Sequence, residues 1–323
     1  MTLSRLVDHL RHSGVDVLVV ASDEGATMSV PLYGGLRVSR EPWRAIPRIA
    51  AFRADAIHVA TEGPLGMWTR LWLGRHRLPF TTSFHTRFPE YLSARLPLSV
   101  DWGYRVERWF HSRAVHTMVG TVSLIRELEA RNVARRLVHW PRGVDTDRFH
   151  PEKRSGAIYA NLPRPIWLNV GRVAVEKSLE AFLGLPLPGT KVIVGDGPDR
   201  AKLERRFPDA IWRGWQHGDD LSAHYASADC FVFPSKTETF GNVLLEAMAS
   251  GLPVAAVPSP GPIDLVQDGW NGAIDDSLLS ASLRAQHCSR VAARTAAAKY
   301  SWPASHETFR RYLVPLGAVG LPW

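Results

Sequence analysis

Short apolar runs rich in β-branched and aromatic residues alternate with helix-patterned stretches along all 323 residues. That alternation points to parallel sheets assembled from βαβ units, because a parallel pair needs a long crossover and a helix usually supplies it. In the first half the pattern predicts strands at Asp16–Val20, Ala56–Ala60, Phe80–Phe84, Thr117–Val119 and Leu137–His139. Helical spacing falls between them, over Leu3–Leu10, Leu65–Arg75, Val100–Val115 and Val122–Arg131. A second series follows Pro165, with strands at Ile166–Val170, Lys191–Val194, Ala210–Trp212, Cys230–Phe233 and Pro253–Ala256, and ends in an Ala- and Arg-rich tail. The stretch PRGVDTDRFHPEKRSG, residues 141–156, mixes proline, glycine and charge with little apolar periodicity and reads as a connection. The expected fold class is therefore α/β with two Rossmann-like, doubly wound domains, over residues 1–145 and 161–302. A linker is expected over 146–160, and a tail over 303–323 that packs back on the first domain. Ligands bind beyond the C-terminal strand ends of such sheets, so loops that follow strands are the places to look for chemistry.

Charge is distributed unevenly between the halves. Residues 1–150 hold 21 arginines, no lysine and 14 acids, a net +7, whereas residues 151–323 carry a net +1. The excess points to an anionic partner, whether an acidic substrate, a lipid surface or nucleic acid, or else reflects a compositional preference for arginine. No run of about 18 apolar residues is present to cross a bilayer. The opening MTLSRLVDHLRHSG spaces its apolar residues as a helix does and not as a secretory signal does. Two cysteines, Cys230 and Cys288, are too few for a disulfide framework or a zinc site, and a cytoplasmic setting is expected.

The most informative stretch is FVFPSKTETFGNVLLEAMASGLPVAA, residues 231–256: an apolar strand, a polar loop, a glycine, a helix, then Gly251 before another strand. A helix start behind a small residue offers amides and a positive dipole end to an anion such as a diphosphate. Glu238 lies in the loop before that start and Glu246 about a turn inside it. In GRVAVEKSLEAF, residues 171–182, Arg172 and Lys177 stand where cations can neutralise charge growing on a leaving phosphate.

This combination resembles the E-x7-E signature of the large retaining glycosyltransferase family with two Rossmann domains, the B fold of family 4. The resemblance implies that Glu238 lies near the transferred sugar and that Glu246 holds the ribose hydroxyls. It also implies that Arg172 and Lys177 grip the donor phosphates, together with the amides around Thr239, Phe240, Gly241 and Asn242. VGDGPDRAKL, residues 194–203, resembles the family's Gly-Asp-Gly-Pro turn, with Gly195 and Gly197 shaping the donor pocket. In SFHTRFPEYL, residues 83–92, the resemblance places His85 near the donor sugar and the acceptor, facing a cleft between the domains. TEGPLG, residues 61–66, resembles an acidic loop whose Glu62 would touch the acceptor. Asp145 and Asp147 read as a D-x-D metal motif, but their context resembles the interdomain linker, and no metal or other cofactor is expected. The implied activity is retaining transfer of a hexosyl group from GDP-mannose or UDP-glucose to a lipid or glycan acceptor, in the manner of bacterial glycolipid-type mannosyltransferases and diacylglycerol glycosyltransferases.

Residues 37–53 interleave Arg37, Arg40, Arg44, Arg48 and Arg53 with Trp43, Ile46, Ile49 and Phe52. They read as a basic surface for an anionic membrane or as a solvated, partly packed helix, with Pro47 expected to interrupt any helix. MWTRLWLGRHR, residues 67–77, is a second such cluster. No nucleic-acid motif accompanies the charge. The family opens with an apolar strand and a glycine-bearing loop ahead of the first helix, which this chain lacks. The expectation is an upstream start or, alternatively, a catalytically impaired sugar-nucleotide-binding protein.

Overall fold

The computed structural model describes residues 2–21, 26–29, 37–93 and 96–317. They form two units, Met1–Trp140 with Ser305–Trp323, and Pro141–Ala304.

The second unit is built on a six-stranded parallel sheet. Its strands lie in the spatial order Gly272–Ile274, Val254–Ala256, Cys230–Phe233, Ile166–Val170, Thr190–Val194, Ile211–Trp212. Side chains alternate across it, as the two-residue period of a strand requires. Trp167, Ile193, Cys230, Val232, Ala255 and Ala273 pack on one face, and Ile166, Leu168, Val192, Val194, Phe231, Phe233, Val254 and Ala256 on the other. Both faces are buried, which explains why these strands read as continuous apolar runs. Chain order reverses between Ile166–Val170 and Cys230–Phe233, which pair in parallel at the centre of the sheet. Such a reversal of chain order is where doubly wound sheets hold ligands, beyond the C-terminal strand ends.

In the first unit four parallel strands, His58–Val59, Thr81–Phe84, His116–Val119 and Leu137–His139, add in simple chain order. A two-stranded antiparallel ribbon, Thr27–Ser29 with Arg37–Ser39, was not foreseen, nor was the edge strand Gly272–Ile274 of the second unit. The tail belongs to the first unit. Within its helix Phe309 stacks edge-on to His58 and lies against Trp140, each at 4.9 Å, and the Trp140 indole N–H donates to the Ser305 carbonyl at 3.0 Å.

Two local expectations are corrected. Asp16–Val20 forms no strand: it has no ladder partner among the described residues, and its carbonyls at Val17 and Val19 accept instead from Arg11 (3.1 Å) and Arg48 (3.3 Å). Residues 146–160 are anchored in the second unit's core by buried Phe149 and Tyr159, with their other residues exposed or half-buried. Pro47 breaks nothing. A 3-10 turn over Pro42–Ala45 runs into the helix Ile46–Phe52, where Pro47 occupies the first turn and its missing N–H is not needed.

Candidate functional site

In the second unit the loop after Ile166–Val170 and the loop after Cys230–Phe233 are stitched together by side chains. The Ser235 and Thr237 hydroxyls both donate to the Glu176 carbonyl, at 3.2 and 3.3 Å. Ser259 donates to the Ser235 carbonyl at 3.1 Å, fixing the second loop from behind. This sewing carries Lys177 to Glu238, Nζ to Oε2 at 2.8 Å, across 61 residues of sequence. The pair is largely enclosed, with side-chain exposures of 26% and 16%. Burial alone would raise the Glu238 carboxyl, but Lys177 and the backbone amides of Thr239 and Phe240 outweigh it and hold the group below its ordinary range. Glu238 is therefore an anion at neutral pH, and Lys177 is its paired cation.

Gly241 carries a left-handed backbone, φ +83°, at the entry to the helix Asn242–Ala249. A side chain there would strain the turn, and a Cβ would meet Leu244 at 2.8 Å. Phe240 is buried beneath this turn, Thr239 is half-buried, and Asn242 is exposed at the start of the helix. The first-turn amides of a helix lack intrahelical partners, so this end presents donors and a positive dipole. One turn on, Glu246 accepts from the Tyr225 hydroxyl, at 2.9 Å. Burial first, then the Glu246 charge, pushes the Tyr225 hydroxyl well above its ordinary range, so it stays a donor.

Gly195 and Gly197 act as spacers. A Cβ on Gly195 would lie 1.9 Å from the Gly171 carbonyl oxygen, and one on Gly197 would lie 2.3 Å from that of Val173. Between them Asp196 accepts from the Gly197 amide at 2.7 Å and pairs with Arg200 at 2.9 Å. The turn thus lies flat against the segment carrying half-buried Arg172, which has no ion-pair partner among the described residues. Two contributors escaped sequence reading. Tyr225 comes from a neighbouring helix, and Gly261 comes so close that a Cβ there would lie 2.3 Å from the Phe240 carbonyl oxygen. The Gly-Pro turn around Gly261 was a signal that could have flagged the latter.

In the first unit His85 directly follows the strand Thr81–Phe84 and sets its ring edge-on to Trp140, centroids 5.9 Å apart. Two residues on, buried Arg87 pairs with Glu90 at 3.2 Å and with Glu127, and the Tyr104 hydroxyl donates to Glu90 at 2.7 Å. This network fixes the strand end that carries His85. Glu62, expected against the acceptor, is buried, its carboxylate 3.6 Å from His111 Nε2. Glu107 approaches the same nitrogen at 3.4 Å. Burial, then the Glu62 charge, push the Glu107 carboxyl up to about 7. Neither Glu107 nor His111 was foreseen; their i,i+4 spacing on the helix Val100–His111 was the available signal. Among the described residues no helix is long and apolar enough to cross a membrane.

Comparison with known proteins agrees with this arrangement. Residues 164–288 match the family described as glycosyl transferases group 1, and residues 1–148 match glycosyltransferase family 4. A GDP-mannose-dependent alpha-mannosyltransferase of Mycolicibacterium smegmatis is 36% identical over 300 residues, covering 84% of this chain and 79% of the relative. One from Mycobacterium tuberculosis is 33% identical, covering 81% and 75%. Among solved structures, the sucrose-phosphate synthase of Thermosynechococcus elongatus superposes with a TM-score of 0.73 at 20% identity, over 96% of this chain and 91% of that one. Anabaena HepE with UDP and glucose superposes at 0.67 and 18%, over 84% and 81%. The fold is thus that of the GT-B glycosyltransferases, and the chain belongs to glycosyltransferase family 4, the group 1 transferases, as an enzyme that moves a sugar from a nucleotide-sugar donor.

Proposed function

We propose that the enzyme transfers mannose from GDP-mannose to a lipid or glycan acceptor with retention of configuration, and that no metal is needed at the donor phosphates. The observation that carries the reading is the Lys177–Glu238 pair at the switch point of the second unit's sheet, held beside a helix start. As the glycosidic bond breaks, negative charge builds on the diphosphate; on this reading Arg172, Lys177 and the amides at Phe240–Asn242 take it up. Fixed cations and dipoles serve this purpose without reorganising at the moment of reaction. Glu238 stays ionised near the sugar, and Glu246, oriented by Tyr225, accepts from the ribose hydroxyls. His85 contacts the sugar or the acceptor and handles its proton. The donor preference rests on the GDP-mannose-dependent relatives.

The first unit's surface supports placement at the cytoplasmic face of an anionic membrane. Trp43 and Trp68 stack edge to face, centroids 5.8 Å apart and each more than 40% exposed, beside exposed Leu71 and Arg44. Exposed aromatics next to arginines suit shallow insertion into an anionic interface.

Calorimetric titration with GDP-mannose, UDP-glucose and the free nucleotides tests the donor. The reading expects saturable binding of GDP-mannose, followed by an α-anomeric product and turnover that survives a chelator. Preference for UDP-glucose would overturn the donor assignment, and donor binding without turnover on any acceptor would favour a binding protein.

A further inference from the structure

The cluster of Glu62, Glu107 and His111 has no part in the donor chemistry, and the inference drawn from it is independent of the donor assignment. Glu62 sits in the loop after the strand His58–Val59, while Glu107 and His111 lie one turn apart on the helix Val100–His111. One ligand-type atom from each, two carboxylate oxygens and an imidazole nitrogen, lie within 4.8 Å of one another. The three side chains are enclosed, with residue exposures of 7%, 3% and 0%. Glu62 Oε1, Glu107 Oε2 and His111 Nε2 are all buried without a hydrogen-bond partner. Among the described residues no lysine or arginine ion-pairs with either carboxylate. Two carboxylates enclosed around one imidazole are costly unless a cation or bound protons balance them.

We propose that these three residues bind a single divalent first-row metal ion, of the zinc class, as a site that braces the first unit. The spacing fits. Bonds of about 2.0–2.1 Å around a tetrahedral ion set its ligands roughly 3.3 Å apart, and His111 Nε2 lies 3.4 and 3.6 Å from the two carboxylates. The second layer fits as well. His111 Nδ1 lies 2.8 Å from the Thr82 hydroxyl, which lies 2.9 Å from that of Thr117. With Nδ1–H donating to Thr82 and the Thr82 hydroxyl donating onward, Nε2 carries the lone pair a metal needs, the arrangement by which ligating histidines are oriented. A mixed imidazole and carboxylate set suits Zn2+ ahead of Mg2+. Three protein ligands leave one position for water or a backbone oxygen.

The test uses the full chain, stripped with a chelator and titrated with Zn2+ alone. The expected result is one tight equivalent and a rise in thermal midpoint, with Glu107→Gln weakening affinity at least tenfold. Cobalt(II) on the unaltered chain keeps the test decisive if that variant fails to fold: intense visible bands of a four- or five-coordinate ion support the site, whereas the weak spectrum of the hydrated ion counts against it. Failure of the stripped wild-type chain to bind, or unchanged binding by a folded Glu107→Gln variant, overturns the proposal.

Discussion

The two units use the same device, loops at the C-terminal ends of parallel strands, and reach opposite electrostatic outcomes. In the second unit Glu238 meets a protein cation, Lys177, and the pair keeps partial contact with solvent. Such a cation can move from its carboxylate to an incoming phosphate at modest cost, because neither charge is ever left buried alone. In the first unit, among the described residues, Glu62 and Glu107 pair only with an imidazole, and all three are closed off. Topology accompanies the difference. Chain order reverses at the centre of the second sheet, whereas the described strands of the first add in sequence. A switch point is where doubly wound sheets bind ligands, whereas the Glu62 loop end is covered by the helix Val100–His111.

Substitutions can break or sharpen this contrast. Replacing Lys177 with Ala should lower kcat/KM by about 10²–10³-fold, the usual loss on removing one donor to developing charge; near-normal turnover would deny the pair its phosphate role. Gly261→Ala drives a methyl into the Phe240 carbonyl and should cost about 1–3 kcal/mol of stability, read from denaturant midpoints, with weaker donor binding. Tyr225→Phe leaves Glu246 without its hydroxyl partner and should weaken nucleotide binding by roughly fivefold, about 1 kcal/mol, with kcat little changed. A kcat effect instead of a binding effect would move Glu246 from the ribose to the chemistry.

The smallest effect is one of pH. The folded-state pKa of Glu238 is depressed, so its ionised form stabilises the fold above the unfolded carboxylate pKa of about 4.3, and that contribution is lost as pH falls through the folded value. Wild type should therefore lose more stability than Glu238→Gln as pH is lowered below about 4.3. Parallel stability curves for the two proteins would show that Glu238 titrates alike in the folded and unfolded chains.

Much of the second unit's framework was legible because its signals are local. Strand runs such as Cys230–Phe233 and Ile166–Val170 stand where the apolar pattern set them, since burial on both sheet faces writes itself directly into residue type. Glu238, Lys177 and Gly241 were marked by their places relative to strand ends and a helix start. The stretch at 16–20 misled for the converse reason: apolar residues with strand propensity make no strand without a neighbour to complete the hydrogen bonds. Pro47 misled because composition reports the average fate of a residue and not the turn it occupies.

What the sequence by itself determined is thus the order of strands and helices and the chemical type of the residues at each strand end. The tertiary structure alone decided which of those residues meet. It brought Lys177 to Glu238 and Tyr225 to Glu246, pressed Gly261 beneath Phe240, and enclosed Glu62 with Glu107 and His111. Periodicity records how each residue faces its own element, whereas these meetings depend on how distant elements pack, and no local pattern encodes that distance.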